Sequence, residues 1–175
     1  GQVNPVSTAI FVGADPHPNR TNFPGKPENF SGTLGAADAI RVAGSGLFLI
    51  AHNSIDCGWT DQASVGIDVF GPRPTLEAEA SAIIVDNDVT MSSPEGTAFG
   101  PNSAAIEIKG FAQGNSVLNN RIRGRAGAAL AVIGLNGGTP GNTSFVADDL
   151  AGFQSSLAGV FVDAGATNTV VIGRR

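Results

Sequence analysis

Residues 115–124 read "NSVLNNRIRG", and their apolar residues fit no straight element. Val117, Leu118 and Ile122 follow neither the two-residue alternation of a half-buried strand nor the i, i+3, i+4 stripe of a helix. The same texture recurs. "FLIAHNSI" from Phe48, "AIIVDNDV" from Ala82 and "TSFVADDL" from Thr143 align with it, so that Ile50, Ile84, Val117 and Phe145 form one apolar column. Ile55, Val89, Ile122 and Leu150 form a second column, and between the two stand Asn53, Asn87, Asn120 and Asp148. An odd offset separates the apolar columns, so a straight strand would point them to opposite faces. A corner turns both inward. The expected corner is the asparagine itself, which tolerates left-handed dihedrals and whose amide can bond to nearby backbone or to the Asn one coil away.

Working outward, a short alternating strand precedes each block: Ala39–Val42, Gly66–Val69, Ala105–Ile108 and Ala129–Val132, with a fifth copy at Gly159–Val162. Each begins with a small residue, and Gly44, Gly71, Gly110, Gly134 and Gly165 follow the copies. The copies are unevenly spaced, which reads as a fixed frame with loops of different length inserted between its sides.

This three-sided coil with an asparagine turn, clearest in "NSVLNNRIRG", resembles the right-handed parallel β-helix of the pectate-lyase-like superfamily. The resemblance covers roughly residues 37 to 173 and implies an all-β solenoid of about five to six coils with inserted loops. Fold does not carry activity with it. Residues 1–36 are expected to form an N-terminal strand, arm or cap, and 37–175 the β-helix domain. Within the first part "STAIFVGADP" reads as one more strand, and the proline-rich stretch after it as a loop or arm over the first coil. "ATNTVVIGRR" starts another strand of the second kind with no visible cap, so self-association or a protein partner is expected at an open coil end.

Composition agrees with strands and turns rather than long helices: 24 Gly, 10 Pro and only 14% charged residues in 175. That length suits one domain. A net charge of −5 supplies no basic field for nucleic acid or an anionic membrane surface. No apolar run approaches the roughly 18 residues of a membrane span. Cys57 is the single cysteine, which excludes an internal disulfide and a CxxC site. The start at Gly1, with neither methionine nor a signal-peptide pattern, reads as a processed product or an excised fragment.

If alternation holds through the first strand of each coil, its outward columns are Ala39/Gly66/Ala105/Ala129/Gly159, then Arg41/Asp68/Glu107/Ala131/Phe161, then Ala43/Phe70/Lys109/Ile133/Asp163. The resemblance implies that a saccharide would lie across this face, with acidic residues as calcium ligands or as acid and base. Asp68 and Glu107 on adjacent coils would stand ~5 Å apart, near the separation of a retaining glycosidase pair, with Arg41 or Lys109 as the basic partner. The alternative is a charge ladder in which Arg41, Asp68, Glu107 and Lys109 compensate one another. A polygalacturonase-like motif order is not met: Asp148-Asp149 follows Arg121-Ile122-Arg123 instead of preceding it, and neither His17 nor His52 follows a glycine. His52 reads as a polar turn residue and His17 as a surface residue. Trp59, Phe99, Phe70 and Phe161 are candidate sugar-stacking platforms. The column of small residues predicts a low, flat outer patch suited to close approach of another backbone.

Three functions fit these residues. The first is a non-catalytic extracellular or surface module for structural assembly or adhesion, without cofactor or metal. The second is a polysaccharide lyase or hydrolase using the Asp68/Glu107 face, for which calcium is the cofactor the resemblance admits. The third is a carbohydrate-binding protein without turnover. All three are read as secreted, or displayed on a cell or particle surface.

Overall fold

The computed structural model describes residues 7–13, 37–44, 46–57, 64–71, 80–93, 100–101, 103–135 and 137–173. Strands are the only regular elements among them, and they stack in parallel as a β-solenoid of about four turns. The count is slightly below the five to six coils that the repeats suggested.

Each coil has three sides. The first side stacks β1 (Ser7–Gly13), β2 (Ala37–Ala43), β5 (Ser64–Gly71), β8 (Ala104–Gly110) and the C-terminal halves of β10 (Arg121–Ile133) and β12 (Asp149–Val162). The second stacks β3 (Gly46–Ala51), β6 (Ala80–Val85), β9 (Ser116–Leu118), β11 (Ser144–Val146) and β13 (Val170–Ile172). The third stacks β4 (Ser54–Cys57) and β7 (Asp88–Ser92) on the N-terminal half of β10, which in turn pairs with that of β12. Because β10 and β12 run unbroken around a corner, the third and first sides merge into one sheet at that end. "STAIFVG" is the additional strand that its sequence suggested, parallel to β2. The proline-rich stretch with His17, and Trp59 and Phe99, lie outside the described residues.

Side-chain columns build the core. Ile40, Ile67, Ile106 and Leu130 pair in register along the first side, as do Ile50, Ile84, Val117 and Phe145 along the second. These columns and Ile55, Val89 and Ile122 of the third side pack into one buried cluster. Stacking like on like places each β-branched or aliphatic side chain over its counterpart about 4.8 Å away, close enough to exclude water from the whole axis.

Small residues occupy the corner between the third and first sides. Ala105 and Ala129 are buried in the core cluster, and Ala39 packs against it. A Cβ on Gly66 would lie 2.6 Å from the Ala105 carbonyl oxygen and 2.7 Å from Val89 Cγ1. The small column therefore points inward, at Gly66 with no room for anything larger, and the flat outer patch expected from alternation does not exist. At the same corner one coil on, Gly124 has φ +84° and a Cβ there would meet the Met91 carbonyl oxygen at 1.9 Å, so glycine is required by both dihedral and space.

The corner after the second side is displaced by one residue from its expected place. The left-handed residues are His52, Asp86, Asn119 and Ala147, with φ between +53° and +57°, and the asparagine column follows them. This leaves the asparagines free to face inward and form a ladder. Asn53 Nδ2 donates to Asn87 Oδ1 at 2.9 Å, Asn87 Nδ2 to Asn120 Oδ1 at 2.9 Å, and Asn120 Nδ2 to Asp148 Oδ1 at 2.9 Å. Each acceptor oxygen also takes the backbone N–H of the preceding rung, at 2.8 to 3.0 Å. The second amide hydrogen goes to a carbonyl one coil back, Asn87 to Ile50 and Asn120 to Ile84, at 3.0 Å each. Asp148 ends the ladder. Its Oδ2 is buried without a hydrogen-bond partner, and burial pushes its carboxyl up to about 6 despite the hydrogen bonds from Asn120.

Candidate functional site

The charged residues singled out on the first side do converge. Register sets Arg41 beside Asp68 and Asp68 beside Glu107, while Phe70 pairs with Lys109 one position along the outer face. Lys109 Nζ lies 2.6 Å from Glu107 Oε2 and 3.0 Å from Asp68 Oδ2, and Arg41 NH1 lies 3.3 Å from the same Asp68 oxygen. The Phe70 ring forms an apolar floor for both cations, with the Arg41 guanidinium carbon 5.2 Å and Lys109 Nζ 5.8 Å from its centroid. Both distances fall within the range of cation–π attraction.

Asp38 completes the cluster and had not been singled out. It accepts a hydrogen bond from Arg41 NH1 at 2.9 Å. By alternation it belongs with the inward residue Ile40, and its register partner is Val65. A carboxylate in an apolar column three residues before an arginine was the available signal.

This face is not open to solvent. Asp68 is 0% and Glu107 1% exposed, and Ala43, Phe70 and Ala131 of the same outer columns are also buried. Parallel sheets are commonly covered on both faces, and the alternation along the strand, which correctly assigns these side chains to the outer face, carries no information on what lies over it. Phe70 is therefore a buried floor and no stacking platform. Phe161 is half-buried and packs against the small apolar cluster of Ala104, Ala128, Ala131 and Ile133 at the far end of the face.

Electrostatics follow from the burial. Three carboxylates face two cations, and Asp38 Oδ1, both Asp68 oxygens and Glu107 Oε1 are buried without accepting a hydrogen bond. Burial, joined by repulsion from Asp68, holds the Asp38 carboxyl up at about 6. Burial raises Glu107 to about 7 against the opposing pull of Lys109. Burial alone would lower Lys109 and Arg41, but the carboxylates around them outweigh it and both cations are held above their ordinary range. The pattern is that of a compensated charge network. A carboxyl poised near 7 has the acidity of a general acid; here it is buried in contact with Lys109.

Other polar groups serve the frame. His52 sits at a corner with its Nδ1 3.9 Å from Asp86 Oδ2. Asp88 on the third side binds Arg121 and Arg123, the latter at 3.2 Å. Among the described residues no group of three or more His, Cys, Asp or Glu side chains is arranged to hold a metal ion, and no helix is long and apolar enough to cross a membrane. Cys57 is half-buried and free, its thiol pushed up to about 11 chiefly by burial, which makes it a poor nucleophile. No protein family, curated protein or solved structure matches this chain.

Proposed function

We propose that this protein is a non-catalytic structural module, extracellular or displayed on a cell or particle surface, that works by assembly or adhesion. The observation that carries the reading is the burial of Asp68 and Glu107 at 0% and 1% exposure beneath Arg41 and Lys109. The Asp68/Glu107 pair, which its spacing suited to saccharide chemistry, is thereby committed to internal charge balance. The C-terminal coil supports the same reading from the other side. Among the described residues β12 pairs only with β10 and β13 only with β11, and Leu157, Val162 and Val171 on these strands are substantially exposed. An unpaired strand edge with apolar side chains is a template for another chain.

Light scattering and electron microscopy across a concentration range, with and without calcium, test this reading. Concentration-dependent oligomers or filaments insensitive to calcium are expected. A protein that stays monomeric and cleaves an acidic polysaccharide, with cleavage abolished by Glu107→Gln, would overturn the proposal in favour of a lyase or hydrolase.

A further inference from the structure

The charged cluster of the first side also holds the parts of a condensation. Asp68 on β5 and Lys109 on β8 are diagonal neighbours on adjacent coils, because register pairs Asp68 with Glu107 and Phe70 with Lys109. Lys109 Nζ lies 3.0 Å from Asp68 Oδ2, yet neither Asp68 oxygen accepts a hydrogen bond. The hydrogen bond of that nitrogen goes to Glu107 Oε2, at 2.6 Å. A nitrogen is thus held against one carboxyl group without bonding to it, while a second carboxyl group is attached to the nitrogen itself. Asp68 and Glu107 are buried, and the Phe70 ring lies 5.8 Å from Lys109 Nζ.

We infer that Lys109 and Asp68 join in an intramolecular amide bond, formed by the folded chain with Glu107 as the proton carrier. The Lys109 Nζ lone pair attacks Asp68 Cγ, the C–N bond forms, and one Asp68 oxygen leaves as water. Glu107 Oε2 takes the proton that the nitrogen sheds and passes it to the departing oxygen. Over the whole step one carboxylate and one ammonium become one amide and one water, so atoms, charge and electrons balance without an oxidant or an activated donor. The Arg41 guanidinium, 3.3 Å from Asp68 Oδ2, stands beside the oxygen on which negative charge grows in the tetrahedral intermediate.

Three physical terms favour closure. Contact within the fold replaces a bimolecular encounter. Turning two buried charges into a neutral amide removes their desolvation cost. A site closed to solvent gives the water formed little chance to hydrolyse the bond. Against these, the surrounding carboxylates hold Lys109 in its ammonium form, so the attacking amine is a minor species and closure is a slow, single event after folding. Glu107, raised to about 7, is suited to exchange a proton near neutrality. The ion-paired cluster described above is the state before closure. The bond ties β5 to β8, and it stands whether or not the chain assembles.

Intact-mass measurement of the full chain, unfolded in acid directly after purification and again after prolonged incubation at pH 7, tests the inference. A mass one water below that of the sequence is expected, and tandem mass spectrometry of a proteolytic digest should show a branched peptide joining Asp68 to Lys109. Lys109→Arg keeps the charge and should retain its full mass. Asp68→Asn should close with loss of ammonia in place of water, which no other source of dehydration would imitate. Glu107→Gln, checked for folding by circular dichroism, should close at least ~100-fold more slowly; closure at the wild-type rate overturns its part as proton carrier. A folded wild type that keeps its full mass throughout overturns the inference, as does a water loss that maps anywhere other than the Asp68–Lys109 pair, Glu107 included.

Discussion

Replacing Asp148 by asparagine should stabilise this protein at alkaline pH. In the two preceding rungs the amide nitrogen donates to a carbonyl one coil back, Asn87 to Ile50 and Asn120 to Ile84. At the next rung Asp148 Oδ2 has no hydrogen to donate and is buried without a hydrogen-bond partner. Burial, opposed by the hydrogen bonds from Asn120, raises the carboxyl from 3.8 to about 6, and a donor on that oxygen in place of the charge would remove the cost. A carboxyl whose folded pKa is raised contributes its stability in full below 3.8 and loses it as pH climbs through 6. Two pKa units correspond to about 3 kcal/mol, and allowing for water near the terminal coil the loss is about 1–3 kcal/mol. Asp148→Asn supplies the donor permanently. The variant and wild type should therefore be nearly equal in stability at pH 4, while at pH 8 the variant should be ahead by that amount, several degrees in Tm for a chain of this size. Urea unfolding of both proteins at pH 4, 6 and 8 measures the difference directly. A gap that is constant with pH, or a variant less stable than wild type at pH 8, would refute the ladder account.

Three further outcomes follow from the buried cluster and the core. Lys109→Met leaves Glu107 without its cation and Asp68 with Arg41 alone, and should cost about 3–5 kcal/mol at pH 8, as loss of one partner of a buried pair does; the loss, read from urea midpoints, should shrink below pH 5. Glu107→Gln removes the excess carboxylate. Wild-type stability should fall as pH rises through the raised values of about 6 and 7 at Asp38 and Glu107, and thermal melts of the variant should show a flatter profile between pH 5 and 8. Gly66→Ala should destabilise by about 1–3 kcal/mol through overpacking against Ala105 and Val89, with an unchanged denaturant slope, even though alanine restricts the unfolded chain; a neutral result would mean that this corner has room to relax.

The inward columns were legible because a stacked coil repeats them: Ile50, Ile84, Val117 and Phe145 align by eye and pair in register. Their odd offset from Ile55, Val89 and Ile122 demanded a corner, and the corner is there. Its location slipped by one residue because His52, Asp86 and Asn119 tolerate the left-handed region as the neighbouring asparagines do, while Ala147 breaks their column. Alanine has no preference for the left-handed region, whereas the asparagine column beside it has an obvious one. The small column was placed outside for a related reason. Counting back from Ile106 by alternation puts Ala105 outward, yet both residues pack in the core, since alternation fails where a strand enters a corner. The charged cluster was half legible. Register placed Asp68 beside Glu107, but the cover over that face is a tertiary property that no strand pattern encodes. Asp38 stayed hidden because alternation counted back from Ile40 places it inward, whereas the break at Ala39 turns it towards Arg41.

The unbroken path of β10 and β12 around a corner has a mechanical consequence. Most coils here are three short ledges joined by turns, and under load one ledge can slip while its neighbours hold. The pair from Arg121 to Ile133 and Asp149 to Val162 shares a ladder over two sides with only local interruptions, so its hydrogen bonds fail together or not at all. Tension applied along the stacking direction should therefore meet its stiffest element near the C-terminal end. The short second-side strands β11 and β13, three residues each, should yield first, and a force trace should show small early slips followed by one larger rupture.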